Sequence, residues 1–328
     1  MIRKLGVIGG GAWGTALAQV AAAGGEETLL WAREEEVVEA VNQTRENRLF
    51  LPGVPLNPAI RATSSLDCLD ACDALLVVTP AQHMRPILSR LSTNGTPLIL
   101  CAKGMEEATM KLMHDVARET QPEAPIAVLS GPTFADEVAK GLPAAVTLAV
   151  ENADMGEALR ARIARPGFRP YLSDDVVGAE IGGAVKNVLA IACGVVEGRR
   201  LGQNARAALI SRGFAEMTRF GLARGARLET LAGLSGLGDL VLTCSSTSSR
   251  NFSLGKGLGE GRGASELLAD RRTVAEGAST APVLNRAAAA DGVDMPIVAA
   301  VCALLSGEAS VDEVVERLLS RPLRSEGA

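Results

Sequence analysis

The stretch from Glu180 to Gly198 reads EIGGAVKNVLAIACGVVEG and sets one lysine and one asparagine, Lys186 and Asn187, in mostly apolar, helix-forming company. Ser173 is a natural N-cap, Asp174 and Asp175 suit the positive end of a helix dipole, and apolar residues then recur at helical spacing. A helix is therefore predicted from near Asp174. On it, the residues three and four positions from Lys186 are Gly182, Gly183, Leu189 and Ala190, so no carboxylate of its own helix can pair with the amine. Two fates remain open. The stem lies along the core while the ammonium snorkels into water, or the amine is desolvated and able to give and take a proton.

Few other groups compete for that chemistry. The chain has two histidines, His83 and His114, and one tyrosine, Tyr171. Asp175 stands four residues after Tyr171, which excludes a Tyr-x-x-x-Lys dehydrogenase, and no set of Cys, His and Glu has zinc-ligand spacing. His83 reads as a polar loop residue at the opening of a helix, and His114, among Leu112, Met113 and Val116, as structural. The six cysteines, Cys68, Cys72, Cys101, Cys193, Cys244 and Cys302, form no CxxC pair and read as reduced, buried thiols.

A redox partner for the lysine is suggested at the other end of the chain. The short apolar strand Lys4 to Ile8 runs into Gly9-Gly10-Gly11-Ala12-Trp13-Gly14 and then a helical stretch, which is G-x-G-x-x-G in the setting it requires. Gly9 permits the tight turn, Gly11 lets backbone approach a pyrophosphate, and Gly14 allows close helix-strand packing, with the helix N-terminus facing the anion. A second strand, Glu27 to Trp31, ends in Ala32-Arg33 before Glu34, Glu35 and Glu36. An acid at the end of that strand would take a ribose 2′-hydroxyl. Arg33 suits a 2′-phosphate instead, which points to NADP or to tolerance of both NADP and NAD.

The elements that must position these residues follow the same logic. Buried runs at Ala74–Val78, Pro97–Cys101, Ile126–Leu129, Ala144–Val150 and Arg169–Leu172 alternate with helical stretches and predict an open α/β sheet. Thr79, Pro80 and Lys103 lie just past strand ends, where such sheets bind ligands, and Ser130-Gly131-Pro132-Thr133-Phe134-Ala135 forms a loop built to expose backbone and a hydroxyl. Beyond about Asp174, strand-like alternation gives way to alanine- and leucine-rich helices. The expected fold is α/β, with a Rossmann-type doubly wound sheet over residues 1–178 followed by an all-α domain over 179–328. Inside the helical part, Gly233 to Asn251 (GLSGLGDLVLTCSSTSSRN) gathers a carboxylate, a threonine, an arginine and an asparagine. A solvated loop explains Ser245 to Ser249 but not Asp239 between Gly238 and Leu240.

Composition narrows the partners. At 328 residues the chain exceeds the usual single-core size, with 47% apolar and 22% charged residues. A net charge of −5 without a dense Lys/Arg run argues against nucleic acid. No signal-peptide pattern and no apolar run of about 18 residues is read, so no membrane span and a cytoplasmic location are expected.

Together the motifs GGGAWGTALA (Gly9 to Ala18), AKG (Ala102 to Gly104), SGPTFA (Ser130 to Ala135), GGAVKNVLAIACG (Gly182 to Gly194), GLGDLVLTC…SRN ending at Asn251, and AEG (Ala275 to Gly277) resemble the bacterial NAD(P)-dependent glycerol-3-phosphate dehydrogenase family, in order and over nearly the whole length. The resemblance implies reversible reduction of dihydroxyacetone phosphate to sn-glycerol 3-phosphate for phospholipid synthesis, by a homodimer. By motif it implies Lys186 as proton acceptor in alcohol oxidation, assisted by Asp239. It places Ala12, Trp13, Arg33, Lys103, Ala135, Arg250, Val274 and Glu276 on the cofactor. Lys103, Gly131, Thr133, Lys186, Asp239, Ser249, Arg250 and Asn251 would meet a small phosphorylated substrate, with Asn187 and Thr243 as further contacts. One departure is Ala275, where the family often has valine; it leaves Glu276 in place.

The chemistry of the residues agrees. Reducing a ketone by hydride requires a proton donor at the developing alkoxide, and a lysine sunk against apolar wall has its pKa lowered toward the working range. Asp239 can supply its countercharge, while Arg250 can grip a phosphate in two-pronged fashion with Asn251 and a helix N-terminus adding neutral donors. Two rivals differ in class. A β-hydroxyacid-type dehydrogenase shares the lysine-asparagine pair but takes a carboxylate substrate, and a non-catalytic nucleotide sensor would leave Lys186 and Asp239 without a purpose.

Overall fold

Apolar runs that are buried on both faces need helices above and below them, which is the condition for a parallel sheet. In a computed structural model, which describes residues 2–269 and 275–322, the runs form strands β1 (Leu5–Ile8), β2 (Thr28–Trp31), β3 (Ile60–Thr63), β4 (Ala74–Val77), β5 (Leu98–Leu100), β6 (Ile126–Ser130), β7 (Ala144–Val150) and β8 (Phe168–Ser173). They make one sheet in the order β3-β2-β1-β4-β5-β6-β7-β8. Only the β6–β7 pairing is antiparallel. The order reverses between β1 and β4, and a doubly wound sheet opens its ligand crevice at such a point.

Successive residues of the central strands fall into two separate cores. Leu5, Val7, Leu30 and Leu76 pack on one face, and Ile8, Leu29, Trp31, Leu75 and Val77 on the other. Helices α1 (Ala12–Ala22), α2 (Glu35–Thr44), α3 (Ala81–Leu88), α4 (Met113–Thr120), α5 (Ala135–Ala139) and α6 (Ala153–Ile163) supply the covering surfaces. Strand β3 was not legible as a strand. It reads IRAT at the sheet edge, with only Ile60 buried, so it lacks the apolar run that marks its neighbours.

The chain divides into two compact units, Met1–Lys103 with Lys111–Ala179, and Gly104–Met110 with Glu180–Ala328. The second is helical. It holds most of α7 (Val176–Gly198), then α8 (Gln203–Ala223), α9 (Leu228–Leu231), α10 (Asp239–Thr243), α11 (Arg250–Gly259), α12 (Ala264–Leu267), α13 (Glu276–Ala290), α14 (Pro296–Ser306) and α15 (Val311–Leu319). Helix α7 starts at Val176, two residues later than the sequence suggested. The Asp175 carboxylate accepts the Gly178 N–H at 2.8 Å and caps it, while the Ser173 hydroxyl accepts from Asp175 N instead. By length and composition α7 could cross a membrane, contrary to the reading that no such run exists, but 94% of its most apolar window is buried inside the fold. It is a core helix.

Two helices of this unit meet through their main chains. A Cβ added at Gly194 would lie 2.1 Å from the Phe252 carbonyl oxygen, and one at Gly198 2.3 Å from that of Lys256. Reciprocally, a Cβ at Gly255 would lie 1.9 Å from the Ile191 oxygen, and at Gly259 2.5 Å from that of Val195. Glycines four apart on each helix therefore form a seam without side chains, which holds α7 against α11.

Elsewhere in the unit, Glu216 of α8 is 2% exposed and accepts the N–H groups of Ile297 and Val298 at 2.7 and 3.3 Å, capping the start of α14. Burial raises its pKa from 4.5 to about 7, and those two N–H groups and Arg219 oppose the shift only partly. A carboxyl whose folded pKa is raised contributes stability in full below about pH 4.5 and loses it as pH rises through about 7. The wild type should lose on the order of 3 kcal/mol across that window from this group. Glu216→Gln should flatten the profile, as read by thermal midpoints between pH 5 and 8. Equal slopes in the two proteins would refute the assignment.

Candidate functional site

In the first unit the glycine loop has the shape its sequence requires. Gly9 has φ +126°, a conformation side-chain-bearing residues avoid, and a Cβ at Gly14 would lie 1.8 Å from the Gly9 oxygen. Gly10, which the motif leaves unspecified, is also constrained, since its Cβ would lie 2.4 Å from that of Ala32. Gly11 alone has nothing within 4 Å and opens the first turn of α1 to an incoming anion. The loop is tied to β2 by Gly9 N–H donating to the Trp31 oxygen at 3.0 Å.

Among the described residues, the Trp13 indole N–H and the hydroxyls of Thr79 and Ser130 are buried without a hydrogen-bond partner. Trp13 follows β1, Thr79 follows β4 and Ser130 ends β6, so all three lie at the carboxyl edge of parallel strands. Buried polar atoms left unpaired in this way fit a ligand that brings its own polar groups. The cradle thus suits a dinucleotide. Ala12 and Trp13 open α1, and Ala135 opens α5. Arg33 has a side chain 76% exposed and pairs with Glu34 at 2.7 Å. Lys103 Nζ and the Thr133 hydroxyl both donate to the Gly131 oxygen at 3.2 Å. Gly131 is required there, because a Cβ would lie 2.8 Å from the Val146 Cα.

In the second unit Lys186 does not reach water. It is 5% exposed, which removes the snorkelling alternative, and its Nζ donates to Asp239 Oδ1 at 2.5 Å and to the Thr243 hydroxyl at 2.9 Å. Asp239 and Thr243 sit four residues apart on α10 and so share the face turned to the amine. Asp239 is fully buried. The glycines before it explain how α10 comes so near: a Cβ at Gly182, one turn before Lys186, would lie 2.3 Å from the Ser235 oxygen, and one at Gly236 1.9 Å from the Leu231 oxygen. Burial disfavours the ammonium and the carboxylate restores it. Alongside, a hydrogen bond with Cys193 and then burial push the Cys244 thiol up, so it is no nucleophile.

Asn187 enters a chain of amides. Its Oδ1 accepts from Asn251 Nδ2 at 3.0 Å, and Asn251 Oδ1 accepts from Gly277 N at 2.9 Å. The Gly277 N–H can only donate, so it fixes which way both amides point. Ser249 caps α11 by accepting from Phe252 N at 3.2 Å, and Arg250, exposed, is the first residue of that helix. Glu276 opens α13, and Val274 lies outside the described residues. His83 is exposed on α3, and His114 is buried against Asp115. Of the cysteines expected to be buried, Cys68 is exposed and Cys302 is half-buried.

A buried lysine held by a carboxylate can give and take a proton, and the glycine cradle suits a dinucleotide. Residues 4–156 match the family model described as NAD-dependent glycerol-3-phosphate dehydrogenase N-terminus, and residues 175–316 match its C-terminus model. The sequence is 64% identical to glycerol-3-phosphate dehydrogenase (NAD(P)+) of Erythrobacter litoralis, over 99% of this chain and 98% of that one. It is equally 64% identical to the enzyme of that name from Novosphingobium aromaticivorans, over 99% of both chains. Among solved structures, glycerol-3-phosphate dehydrogenase from Coxiella burnetii superposes with a TM-score of 0.93 at 36% identity, covering 98% of this chain and 99% of that one.

Proposed function

We propose, for a chain that belongs to the NAD-dependent glycerol-3-phosphate dehydrogenase family, that it interconverts dihydroxyacetone phosphate and sn-glycerol 3-phosphate with Lys186 as the group that moves the proton. The buried Lys186–Asp239 pair carries this reading. The desolvation of a buried ion pair can outweigh its attraction, so such a pair is weak evidence of a stabilising role, and this one joins a mostly apolar helix to a carboxylate on α10.

The dinucleotide, when bound, supplies or accepts hydride at its nicotinamide ring. In ketone reduction, Lys186 Nζ gives a proton to the oxygen as negative charge develops there, and in alcohol oxidation it takes the proton back. Asp239 and Thr243 hold the amine by two hydrogen bonds, so its direction is set before substrate arrives. Arg250 and the opening N–H groups of α11 offer charge and donors to the substrate phosphate, with Asn251 and Asn187 beside them. Ser249 acts there through its cap, which fixes the start of α11. Lys103, Gly131 and Thr133 are assigned to the substrate by motif, and the lysine and the threonine converge on one carbonyl.

Ala12, Trp13, Ala135, Val274 and Glu276 are assigned to the cofactor by motif, and the two domains, 1–178 and 179–328, to cofactor and substrate in turn. The same reading takes the enzyme to be a cytoplasmic homodimer. Its core assay is oxidation of NADH and NADPH with dihydroxyacetone phosphate. Turnover confined to 3-hydroxy acids would replace the substrate assignment with a β-hydroxyacid one, and absence of any turnover would favour a nucleotide sensor.

Arg33 is assigned to the 2′-phosphate of NADP. Its guanidinium is exposed and only loosely held by a neighbouring carboxylate, Glu34, so a phosphate can compete for it. Arg33→Ala should raise KM for NADPH by about tenfold and leave NADH nearly unchanged, about one charge-assisted hydrogen bond's worth. Equal loss for both cofactors would show that the arginine does not read the phosphate.

A further inference from the structure

We propose that Asn47 is a positioning residue for the dinucleotide: from behind the glycine loop it fixes the Gly10–Gly11 peptide so that the Gly11 N–H faces the pyrophosphate. The inference rests on the reading of that loop as the dinucleotide site. Asn47 lies between α2 and β3 and is fully buried. Its Oδ1 accepts the Phe50 N–H at 3.1 Å, and its backbone oxygen accepts the Leu51 N–H at 2.8 Å, so the residue is anchored in its own turn.

With Oδ1 committed to a donor, the amide nitrogen must face the other way. There it donates to the Gly10 oxygen at 2.8 Å and to the Thr15 hydroxyl at 2.7 Å, and that hydroxyl in turn donates to the Gly10 oxygen at 3.4 Å. Two donors therefore hold one carbonyl of the glycine loop inward. In a trans peptide the C=O and the following N–H point in opposite directions. Drawing the Gly10 oxygen inward thus turns the Gly11 N–H outward, at the residue with open space around it.

Two consecutive glycines need such a restraint. With no side chain on either flank, the peptide between them can turn over at small steric cost. A turned peptide would present its carbonyl oxygen to the pyrophosphate in place of an N–H, exchanging attraction for repulsion. It would also bury the Gly10 oxygen's former donors unpaired. Asn47 removes that alternative before the cofactor arrives.

Three variants test this. Asn47→Leu keeps the volume and removes the donor, and Asn47→Ala removes both. Val41→Ala, fully buried on α2 with an apolar side chain, controls for lost packing. NADH and NADPH are titrated by fluorescence below the thermal midpoint of each protein, and steady-state constants are measured with dihydroxyacetone phosphate. Both Asn47 variants should weaken dinucleotide binding by about tenfold, with KM for the cofactor rising in parallel. The kcat at saturating cofactor and the KM for dihydroxyacetone phosphate should stay near wild type, and Val41→Ala should bind dinucleotide normally. A folded Asn47→Leu with unchanged affinity, or a Val41→Ala that loses as much, would overturn the proposal. Failure of the wild-type chain to bind dinucleotide would overturn the reading beneath it as well.

Discussion

Lys186→Ala should reduce kcat by roughly a hundredfold to ten-thousandfold, the range that a positioned acid-base group contributes, while NADH and NADPH bind as before. The separation is expected because the glycine cradle belongs to the first unit and the lysine to the second. Loss of cofactor binding along with turnover would indicate a collapsed fold. Fluorescence titration of the variant alongside the kinetic assay distinguishes these outcomes, and near-normal kcat would refute the assignment of Lys186. The substitution also takes the ammonium away from a fully buried Asp239, which keeps the Thr243 hydroxyl as a donor at 3.3 Å. Exogenous small amines, which can enter the space left by the side chain, should restore part of the rate.

Asp239→Asn should cost on the order of 3–5 kcal/mol in unfolding free energy, because it removes the carboxylate paired with a buried ammonium in an almost isosteric site. Turnover should fall with it, since Lys186 then keeps only the Thr243 hydroxyl of its two described partners on α10. Denaturant unfolding measures the first effect. The double variant Lys186→Ala, Asp239→Asn makes the argument sharper: with both charges gone it should regain part of the lost stability and none of the activity. An Asp239→Asn protein that unfolds at the wild-type midpoint would show that the pair is not the buried charge couple described here.

Much of this was legible in the residues because each chemical requirement left a mark of composition. Lys186 was conspicuous through the apolar residues around it, and Asp239 through the glycines that isolate it. The doubly wound sheet followed from runs buried on both faces. What escaped did so for physical reasons. The edge strand β3 has one buried side chain and so no pattern. The cap of α7 fell to Asp175 rather than Ser173, a choice decided by which side chain reaches the Gly178 N–H. Whether Lys186 would snorkel could not be decided on its own helix, because the answer came from α10, more than fifty residues away. Asn47 gave no signal at all, since an asparagine before a turn is ordinary, and its meaning lies in the carbonyl it holds.

The glycine seam between α7 and α11 bears on how this enzyme can be altered. Alanine scanning works by subtraction nearly everywhere along a chain, but at Gly194, Gly198, Gly255 and Gly259 the same exchange is an addition, forced against a facing main chain. Two backbones in contact have no rotamers through which to relax. The seam therefore serves as a fixed datum from which the lysine of α7 and the Arg250-Asn251 pair of α11 are both measured, and redesign of substrate preference has the side chains around them to work with and the seam to leave alone.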